Sequence, residues 1–470
     1  MIAQLLNRPF LLEVAGLVQD EFDRELKGRS GGRRQALDGP LHDVEDGELR
    51  DLSESLAGAR VSEPVGEGDS DPEVTPKDDD AYIPRDPLLS LLQTTIEAHV
   101  EENDEVEIDD SPLLVGRRDE GEIPAVTDRR IADIPLVAPE GRRRAWGDME
   151  IAENRLFSDP GWLTSGFAMA VRAFRGRAKW VEKAATIEVG ERARIILVGD
   201  WGSGLRRAKR VADQIRRVLD EDKAVERHVI HLGDVYYSGS KREYNRNFFN
   251  LWPVDEGQDI GSFSLCGNHD MYYGGHAYYG TCLADPLFSR QAGSSHFALQ
   301  SPGWTLIALD TGYEDGGLEG HQATWAKELI DRAPSDQRIG LLSHHQLFSA
   351  HEDGAKVLGD KIEPVLATER VDAWFWGHEH RCIQYGESQH EGHRVGFASC
   401  LGHGGVPEHM VMKETDPRPD PPWEYEYLRP FREGEPWETF GFAVLDIDGP
   451  KMSVRYIDEN GTEHHNVKEV

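Results

Sequence analysis

The chain has 470 residues, four cysteines and a formal net charge of −34 at pH 7. This length accommodates two domains, or one large domain with an appendage. The negative charge argues against general binding to nucleic acids or anionic membranes, because both are polyanions. No apolar run approaches the ~20 residues that span a bilayer, and residues 1–18 lack the basic start and small-residue cleavage site of a signal peptide. The cysteines have no paired short spacing, which predicts neither a disulfide scaffold nor a zinc knuckle. We therefore expect a cytoplasmic protein.

Residues 1–184 are predicted to form an acidic N-terminal extension. Within it, residues 38–122 contain 27 acidic and 6 basic residues. Helices are predicted at about residues 10–27, 86–102 and 161–181, and Asp86 and Pro87 suit the N-cap and first position of the second one. Residues 37–83 are rich in Gly, Pro, Ser and acidic residues, and bury too little apolar surface to offset the entropy of ordering. We predict that they are flexible.

The pattern changes at residue 185, from which we predict one folded domain over residues 185–470. Short apolar runs typical of strands alternate with helical patterns, which favours an α/β domain with at least partly parallel strands. The predicted strands lie at residues 194–198, 228–232, 262–265, 304–309, 339–342 and 371–376, and the predicted helices at 205–219, 321–330 and 356–367. Extended runs at 395–399, 440–445 and 452–456 fit antiparallel strands that complete a second sheet.

Five short polar clusters each follow an apolar run that predicts a buried strand. Alone, each cluster is more often a turn, a helix cap or a pair of exposed histidines. Because open α/β sheets keep their sites at the carboxyl ends of strands, the five together are expected to converge on one crevice and bind two metal ions. We therefore predict a dinuclear hydrolase. The clusters are Gly-Asp200-Trp-Gly, Gly-Asp234-Val-Tyr-Tyr, Gly-Asn268-His-Asp, Ser-His344-His and Gly-His378-Glu-His380.

The order of these clusters resembles the calcineurin-like metallophosphoesterase superfamily over roughly residues 190–460. Most members carry a histidine two residues after the first aspartate, where this chain has Gly202, and a non-aromatic residue three after the second, where it has Tyr237. Both differences are typical of purple acid phosphatases, and Gly-Asp200-Trp-Gly resembles their small, mammalian-type branch. The resemblance implies a four-layer α/β/β/α sandwich, with residues 185–470 as the catalytic domain and a partly disordered N-terminal extension.

The resemblance also implies a set of metal ligands. A phenolate is a hard donor, so the site with tyrosine suits Fe(III), whereas the second site suits Fe(II), Zn or Mn. Asp234 would bridge the two ions, which together position both oxygens of an in-line displacement. The first metal would be held by Asp200, Asp234, Tyr237 and His380, and the second by Asp234, Asn268, His344 and His378.

Three further residues receive roles from the same resemblance. A metal-bound hydroxide would attack phosphorus while His269 protonates the leaving alkoxide or stabilises the phosphoryl group. Asp270 is expected to orient His269, and His351 resembles a histidine that contacts substrate. By contrast, His345 and His403 are expected to be neighbours of the ligands. Tyr236 is expected to be a packing residue.

The expected activity is hydrolysis of phosphomonoesters on a small-molecule substrate. One alternative keeps the same metal site but acts on phosphodiesters, and another is a non-catalytic binding or scaffold protein. The substrate preference stays open, since His345-Gln346 replaces the Tyr-Pro or Ser-Pro that the family often shows. The N-terminal extension is expected to bind a protein partner, regulate the enzyme or cover its active site.

Overall fold

The chain divides into two units, Met1–Ala173 and Phe174–Val470. The structure is a computed structural model that describes residues 8–30, 46–62, 86–102, 176–351, 354–390, 392–406, 421–424 and 439–470. The division lies slightly before the boundary between residues 184 and 185 that the sequence predicts.

Three helices are described in the first unit: Arg8–Ser30 (α1), Asp46–Ser62 (α2) and Pro87–Glu102 (α3). Helices α1 and α3 occupy the two segments for which helices are predicted at about residues 10–27 and 86–102. Asp86 caps α3, since its Oδ1 accepts the N–H groups of Leu88 (2.8 Å) and Leu89 (3.2 Å). In the described parts of the whole chain, no helix is both long and apolar enough to cross a bilayer.

Helix α2 corrects the prediction of flexibility for residues 46–62, which are helical. The rest of the predicted flexible range, residues 37–45 and 63–83, lies outside the described residues. Leu49, Leu52 and Leu56 recur at intervals of three and four residues, which places them on one face of the helix. All three are buried, and α2 packs on α1, where Ser53 Oγ donates to Asp23 Oδ1 at 2.7 Å. The polar composition of the wider range concealed this apolar stripe.

The second unit contains sixteen strands among its described residues, in two mixed sheets and one hairpin. They are Ala185–Glu188 (β1), Arg192–Val198 (β2), Glu226–His231 (β3), Gly261–Ser264 (β4), Phe297–Gln300 (β5), Trp304–Ala308 (β6), Arg338–Leu342 (β7), Val371–Trp376 (β8), Cys382–Tyr385 (β9), Ser388–His390 (β10), His393–Val395 (β11), Phe397–Leu401 (β12), Trp423–Glu424 (β13), Gly441–Asp448 (β14), Lys451–Asp458 (β15) and Glu463–Val467 (β16).

The six-stranded sheet has the order β16-β15-β14-β2-β3-β4, and the eight-stranded sheet has the order β1-β5-β6-β7-β8-β12-β9-β13. Strands β2, β3 and β4 are parallel, as are β6, β7, β8 and β12. The antiparallel strands β14 to β16 extend the first sheet beyond β2. Strand β12 overlaps the extended run predicted at residues 395–399. It runs parallel to β8 in the eight-stranded sheet and does not belong to the antiparallel strands that extend the first sheet.

An apolar core lies between the two sheets. Leu197, Ile230 and Leu445 of the six-stranded sheet belong to the same buried cluster as Leu306 and Phe375 of the eight-stranded sheet. Alternate residues of a strand point to opposite faces, so each strand presents its other face to a different layer. The prediction of an α/β domain is confirmed, with two mixed sheets as its framework.

Helices cover the outer faces of the sheets. Ala326 and Ile362, one from each of two helices, pack with Ile307 and Trp374 on the outer face of the eight-stranded sheet. The first helix after β2 lies against β14 of the six-stranded sheet. The α-helices of this unit are Arg206–Glu221 (α4), Lys241–Glu243 (α5), Asn268–Tyr272 (α6), Gln322–Arg332 (α7) and Lys356–Leu366 (α8), with short π or 3-10 turns at Tyr244–Phe249, Tyr278–Cys282 and Pro286–Gln291.

The predicted helix at residues 161–181 is wrong over its described end, because residues 176–181 are not helical, while residues 161–175 lie outside the described residues. The segment follows the surface of the second unit. The N–H of Ala178 donates to the carbonyl of Gly274 at 2.7 Å, and Trp180 stacks on His296 with ring centroids 5.1 Å apart. These groups find partners outside the segment, so they do not require helical hydrogen bonds.

The core between the sheets predicts a large stability effect for one substitution. Leu445 is fully buried there, so Leu445→Ala should lower the free energy of unfolding by about 2–5 kcal/mol, from lost apolar contact and the remaining cavity. Urea denaturation followed by circular dichroism measures this change. Val357→Ala is the control, because Val357 is 53% exposed and its truncation should cost about 0.5 kcal/mol or less. Equal effects would contradict the assignment of the core.

Candidate metal centre

The predicted ligands converge at the carboxyl ends of strands from both sheets. Asp200 follows β2, Asp234 follows β3 and Asn268 follows β4, all in the six-stranded sheet. His344 follows β7, and His378 and His380 follow β8, in the eight-stranded sheet. The site therefore lies where two parallel sets of strands end side by side, as expected for an α/β sheet.

Four of these residues adopt the left-handed backbone conformation that non-glycine residues rarely use. Their φ angles are 55° for Asp200, 76° for Asp234, 71° for His378 and 52° for His380. Such strain concentrates at functional sites, where the surrounding structure holds it in place. At the loop after β4, a Cβ added to Gly267 would overlap Asp234 Oδ1, so this close approach requires glycine.

One group of donor atoms consists of Asp200, Asp234, Tyr236 and His380. The hydroxyl of Tyr236 lies 2.8 Å from Asp200 Oδ1, 3.1 Å from Asp234 Oδ2 and 3.0 Å from His380 Nε2. His380 Nε2 also lies 3.6 Å from Asp200 Oδ1. Two carboxylates, one phenol and one imidazole thus face a common point, which is a suitable donor set for a hard cation.

The phenol in this group belongs to Tyr236, which corrects the prediction that Tyr236 only packs. The sequence instead predicts Tyr237 as the phenol ligand. The N–H of Tyr236 donates to the carbonyl of Gly202 at 2.9 Å, in a parallel bridge between Val235 and Gly202. This pairing holds Tyr236 next to the turn of Asp200. The backbone of Tyr237 is used otherwise, since its N–H donates to Glu243 Oε1 at 2.7 Å.

The second group of donor atoms consists of Asn268, His344 and His378, with Asp234 shared. Asn268 Oδ1 lies 3.0 Å from His344 Nε2 and 3.1 Å from His378 Nδ1, and the two ring nitrogens are 3.3 Å apart. His344 Nε2 lies 3.3 Å from Asp234 Oδ2. One carboxylate therefore belongs to both groups, as a bridging ligand would.

Hydrogen bonds orient the second group for a cation. His344 Nδ1 lies 3.0 Å from the carbonyl of Leu232, an acceptor, so Nδ1 carries a hydrogen, and Nε2 presents a lone pair once it has lost its proton. The amide nitrogen of Asn268 donates to the hydroxyl of Tyr272 at 2.7 Å, which turns Oδ1 toward the histidines. Lone pairs directed at one another at about 3 Å repel unless a cation lies between them, so these residues fit a metal ion.

Burial and mutual charge shift the pKa values of the buried groups. Burial raises the pKa of Asp200 to about 8, with Asp234 adding to this rise and His344 opposing it. For Asp234, burial also acts to raise the pKa, but His344 and His269 outweigh it and hold the pKa well below the ordinary range. Burial opposes protonation of His344, yet Asp234 raises its pKa to about 9. Two carboxylates this close cannot both ionise freely without a compensating cation.

His269 lies beside this site, as the sequence predicts. Its backbone N–H donates to Asp234 Oδ1 at 2.9 Å, and its Nδ1 lies 2.6 Å from the carbonyl of Tyr237. Its ring packs between those of Tyr236 and Tyr272, with centroids 4.6 Å away on each side. The carbonyl of Tyr237 takes Nδ1–H, which leaves Nε2 as the nitrogen that can hold a further proton.

Asp270 does not orient His269, contrary to the prediction. Its carboxylate accepts the N–H groups of Asp234 (3.0 Å), Val235 (3.1 Å) and Gly267 (2.8 Å), and the hydroxyl of Tyr244 (2.6 Å). The carboxyl group thus accepts backbone N–H groups from the loop that carries Asp234 and from the loop after β4. Its contacts thus assign it a positioning role for Asp234.

His351 lies against a carboxylate on a later strand. Its Nε2 lies 2.9 Å and 3.1 Å from the two carboxyl oxygens of Glu424, and Arg381 reaches the same carboxylate at 3.5 Å. Arg381 directly follows the predicted ligand His380 in sequence. The position of His351 therefore links it to the ligand loop through Glu424, and its contact with substrate stays a prediction.

Two features of this site escaped the sequence analysis. The first is the phenol of Tyr236, which the sequence predicts to pack, because the choice between two adjacent tyrosines depends on pairing with the distant Gly202. The second is the segment after β6, Leu309-Asp310-Thr311-Gly312, in which Thr311 contacts His345 next to the ligands. This is a further strand that ends in a polar cluster, so the pattern used for the other five could have found it.

The same part of the chain resembles known proteins. Residues 193–382, which contain every ligand candidate, match the family model for calcineurin-like phosphoesterase. The chain is 25% identical over 313 residues to tartrate-resistant acid phosphatase type 5 of Homo sapiens, covering 57% of this chain and 88% of that protein. The Sus scrofa protein of that name is 24% identical over 314 residues, covering 57% and 84%. Among solved structures, GAP50, the anchor in the inner membrane complex of Plasmodium, gives a TM-score of 0.43 at 13% identity, covering 59% of this chain and 88% of that chain.

The shifted pKa values predict that metal binding releases protons. In the metal-free protein, Asp200 is protonated below about pH 8 and His344 below about pH 9. Both must lose a proton to act as ligands. Calorimetric titration with Mn²⁺ at pH 7, in buffers of different ionisation enthalpy, should detect release of about one proton or more per chain. Metal affinity should fall as the pH is lowered. Proton uptake, or an affinity independent of pH, would contradict this assignment.

The contacts of Asp270 predict the effect of Asp270→Asn. The new amide directs N–H groups at backbone donors, so the free energy of unfolding should fall by about 1–3 kcal/mol and the metal content should drop. Urea denaturation and elemental analysis measure both quantities. Asp259→Asn is the control, because that side chain is 99% exposed. If Asp270 only oriented His269, stability and metal content would stay at the wild-type level while the pH profile of activity changed.

Proposed function

We propose that this chain, a calcineurin-like metallophosphoesterase with distant homology to tartrate-resistant acid phosphatases, hydrolyses phosphomonoesters at a dinuclear metal centre. The observation that carries the proposal is the pair of donor groups that share Asp234, one of them with a phenol. The distance between the two groups is set by one bridging carboxylate, as two-metal hydrolysis requires. The similarity to acid phosphatases supports monoesters as substrates.

The side chains suggest which ion each group would hold. Tyr236, with Asp200 and His380, offers the hard donors that favour Fe(III), whereas the amide and imidazoles of the second group suit Fe(II), Zn or Mn. When bound, such a pair of cations activates the attacking water and neutralises charge on the phosphoryl oxygens. His269 would hold a proton on Nε2 and pass it to the leaving oxygen of the ester.

The same proposal extends to the setting of the enzyme. We infer the four-layer α/β/β/α sandwich of the family from helices that cover both outer sheet faces. We also propose a cytoplasmic location, and the four cysteines support it because all are buried free thiols, as expected in a reducing compartment. A protein partner for residues 1–184 is proposed from their acidic composition alone.

Hydrolysis of chromogenic esters tests the function. Protein loaded with two metals should release p-nitrophenol from p-nitrophenyl phosphate, and Asp234→Asn should lower kcat by about 100-fold or more, because both ions lose the shared ligand. Asp259→Asn should retain wild-type turnover. Faster turnover of bis(p-nitrophenyl) phosphate than of the monoester would favour a phosphodiesterase. Absence of turnover on both, with two metals bound, would favour a binding or scaffold protein.

Visible absorption tests the iron and its phenolate ligand. With Fe(III) in the Tyr236 site, charge transfer from phenolate to iron should colour the purified protein. Tyr236→Phe should remove the band, whereas Tyr237→Phe should retain it, because the hydroxyl of Tyr236 is the one that lies among Asp200, Asp234 and His380. Loss of the band in Tyr237→Phe alone would restore the prediction from sequence spacing. A colourless protein with full metal content would contradict Fe(III) at this site.

A further inference from the structure

His345 is a buried imidazole beside the ligand candidates that has no role in the function proposed above. Its ring centroid lies 4.5 Å from that of His378 and 4.9 Å from that of His344. One ring nitrogen from each of the three lies within 4.8 Å of the others. His345 is only 5% exposed. A buried imidazole in this position either binds a metal ion as a third histidine ligand or donates a hydrogen bond to a bound anion.

The contacts with Thr311 favour one tautomer of His345. Thr311 Oγ1 accepts the backbone N–H of His345 at 3.0 Å and lies 3.0 Å from its Nδ1. The threonine hydroxyl has one hydrogen, which can be donated to Nδ1 while the oxygen accepts the backbone N–H. With Nδ1 as an acceptor, the neutral ring carries its hydrogen on Nε2. Nε2–H is then a donor, and it offers no lone pair to a metal.

This donor lacks a hydrogen-bond partner. His345 Nε2 is buried and makes no hydrogen bond in the described structure. The nearest charged acceptor, Asp315 Oδ1, is 3.6 Å away, which is beyond hydrogen-bond range. Native proteins contain few unpaired buried donors, and those at a site call for a ligand.

The loop that carries Thr311 and Asp315 is held in place independently of any ligand. Asp310 is fully buried and accepts the N–H groups of Gly312 (3.0 Å) and Tyr313 (2.9 Å). The hydroxyl of Tyr313 donates to the carbonyl of Ala178 at 2.8 Å. The donor on His345 is thus positioned before a ligand arrives, which is how sites reduce the cost of ordering on binding.

We propose that His345 Nε2–H donates a hydrogen bond to a non-bridging oxygen of the phosphoryl group bound at the metal centre, and that Asp315 weakens the binding of this anion. The inference rests on the proposed function. An anionic oxygen is a strong partner for an N–H donor in a dry site. The side chain of Asp315 is 76% exposed, so it can turn to solvent, but its negative charge opposes the incoming phosphate.

Binding of inorganic phosphate to the metal-loaded full chain tests both residues by calorimetry. His345→Phe keeps a ring without the donor, so the Kd for phosphate should rise about 10- to 100-fold. His345→Gln places an amide N–H near the position of Nε2 and should restore most of the affinity. Asp315→Asn should lower the Kd several-fold, in the opposite direction. His393→Phe is the control. His393 belongs to the β10–β11 hairpin, so this substitution should leave the Kd for phosphate unchanged.

Metal content and the visible spectrum are measured on each variant, because they separate donor from ligand. Two metals per chain with an unchanged band are expected in His345→Phe. Loss of a metal in that variant would make His345 a ligand and overturn the proposal, as would an unchanged Kd in both His345→Phe and Asp315→Asn. If His345→Phe fails to fold, Asp315→Asn still tests the proposal, because this substitution at an exposed side chain should lower the Kd for phosphate. If His345→Phe weakens phosphate binding but the wild-type protein hydrolyses no ester, the phosphatase function is refuted and the contact between His345 and phosphate is retained.

Discussion

The carboxylate of Asp234 is the group on which the rest of the site depends. It lies at 3.1 Å from the phenol of Tyr236 and at 3.3 Å from His344 Nε2, so it belongs to both groups of donors. Since Asp234 is almost fully buried, its charge must be balanced inside the protein. In the metal-free chain His344 provides part of this balance. A bound cation would take over this balance when His344 loses its proton to become a ligand.

The backbone around Asp234 explains how this arrangement is maintained. Its left-handed conformation is unfavourable in isolation, but its N–H and that of Val235 both donate to Asp270. The loop after β4 contributes Gly267, whose lack of a side chain permits close approach to the carboxylate of Asp234. Asp234, Asp270 and Gly267 thus come from two neighbouring loops, and each of them is positioned by the other two. The local strain at Asp234 is offset by the hydrogen bonds to Asp270.

Much of this site follows from local sequence pattern, and the exceptions have identifiable causes. A strand that ends in a polar residue is a short-range signal, which is why Asp200, Asn268 and His344 could be predicted together. The choice between Tyr236 and Tyr237 depends on pairing with the distant Gly202, which spacing alone does not encode. The partners of Asp270 and the burial of helix α2 likewise depend on contacts between segments far apart in sequence. The fold class required only the alternation of apolar runs.

The origin of the ligands in two different sheets has a consequence for how the site varies. Asp200, Asp234 and Asn268 are carried by one sheet, and His344, His378 and His380 by the other. The separation between these sets depends on the size and packing of the side chains between the two sheets, such as Leu306 and Phe375. Because protein interiors are close-packed and transmit small displacements, a change of volume in that layer shifts one half of the centre against the other. Residues that touch neither metal nor substrate thereby change the distance between the bridging carboxylate and the histidines of the other sheet.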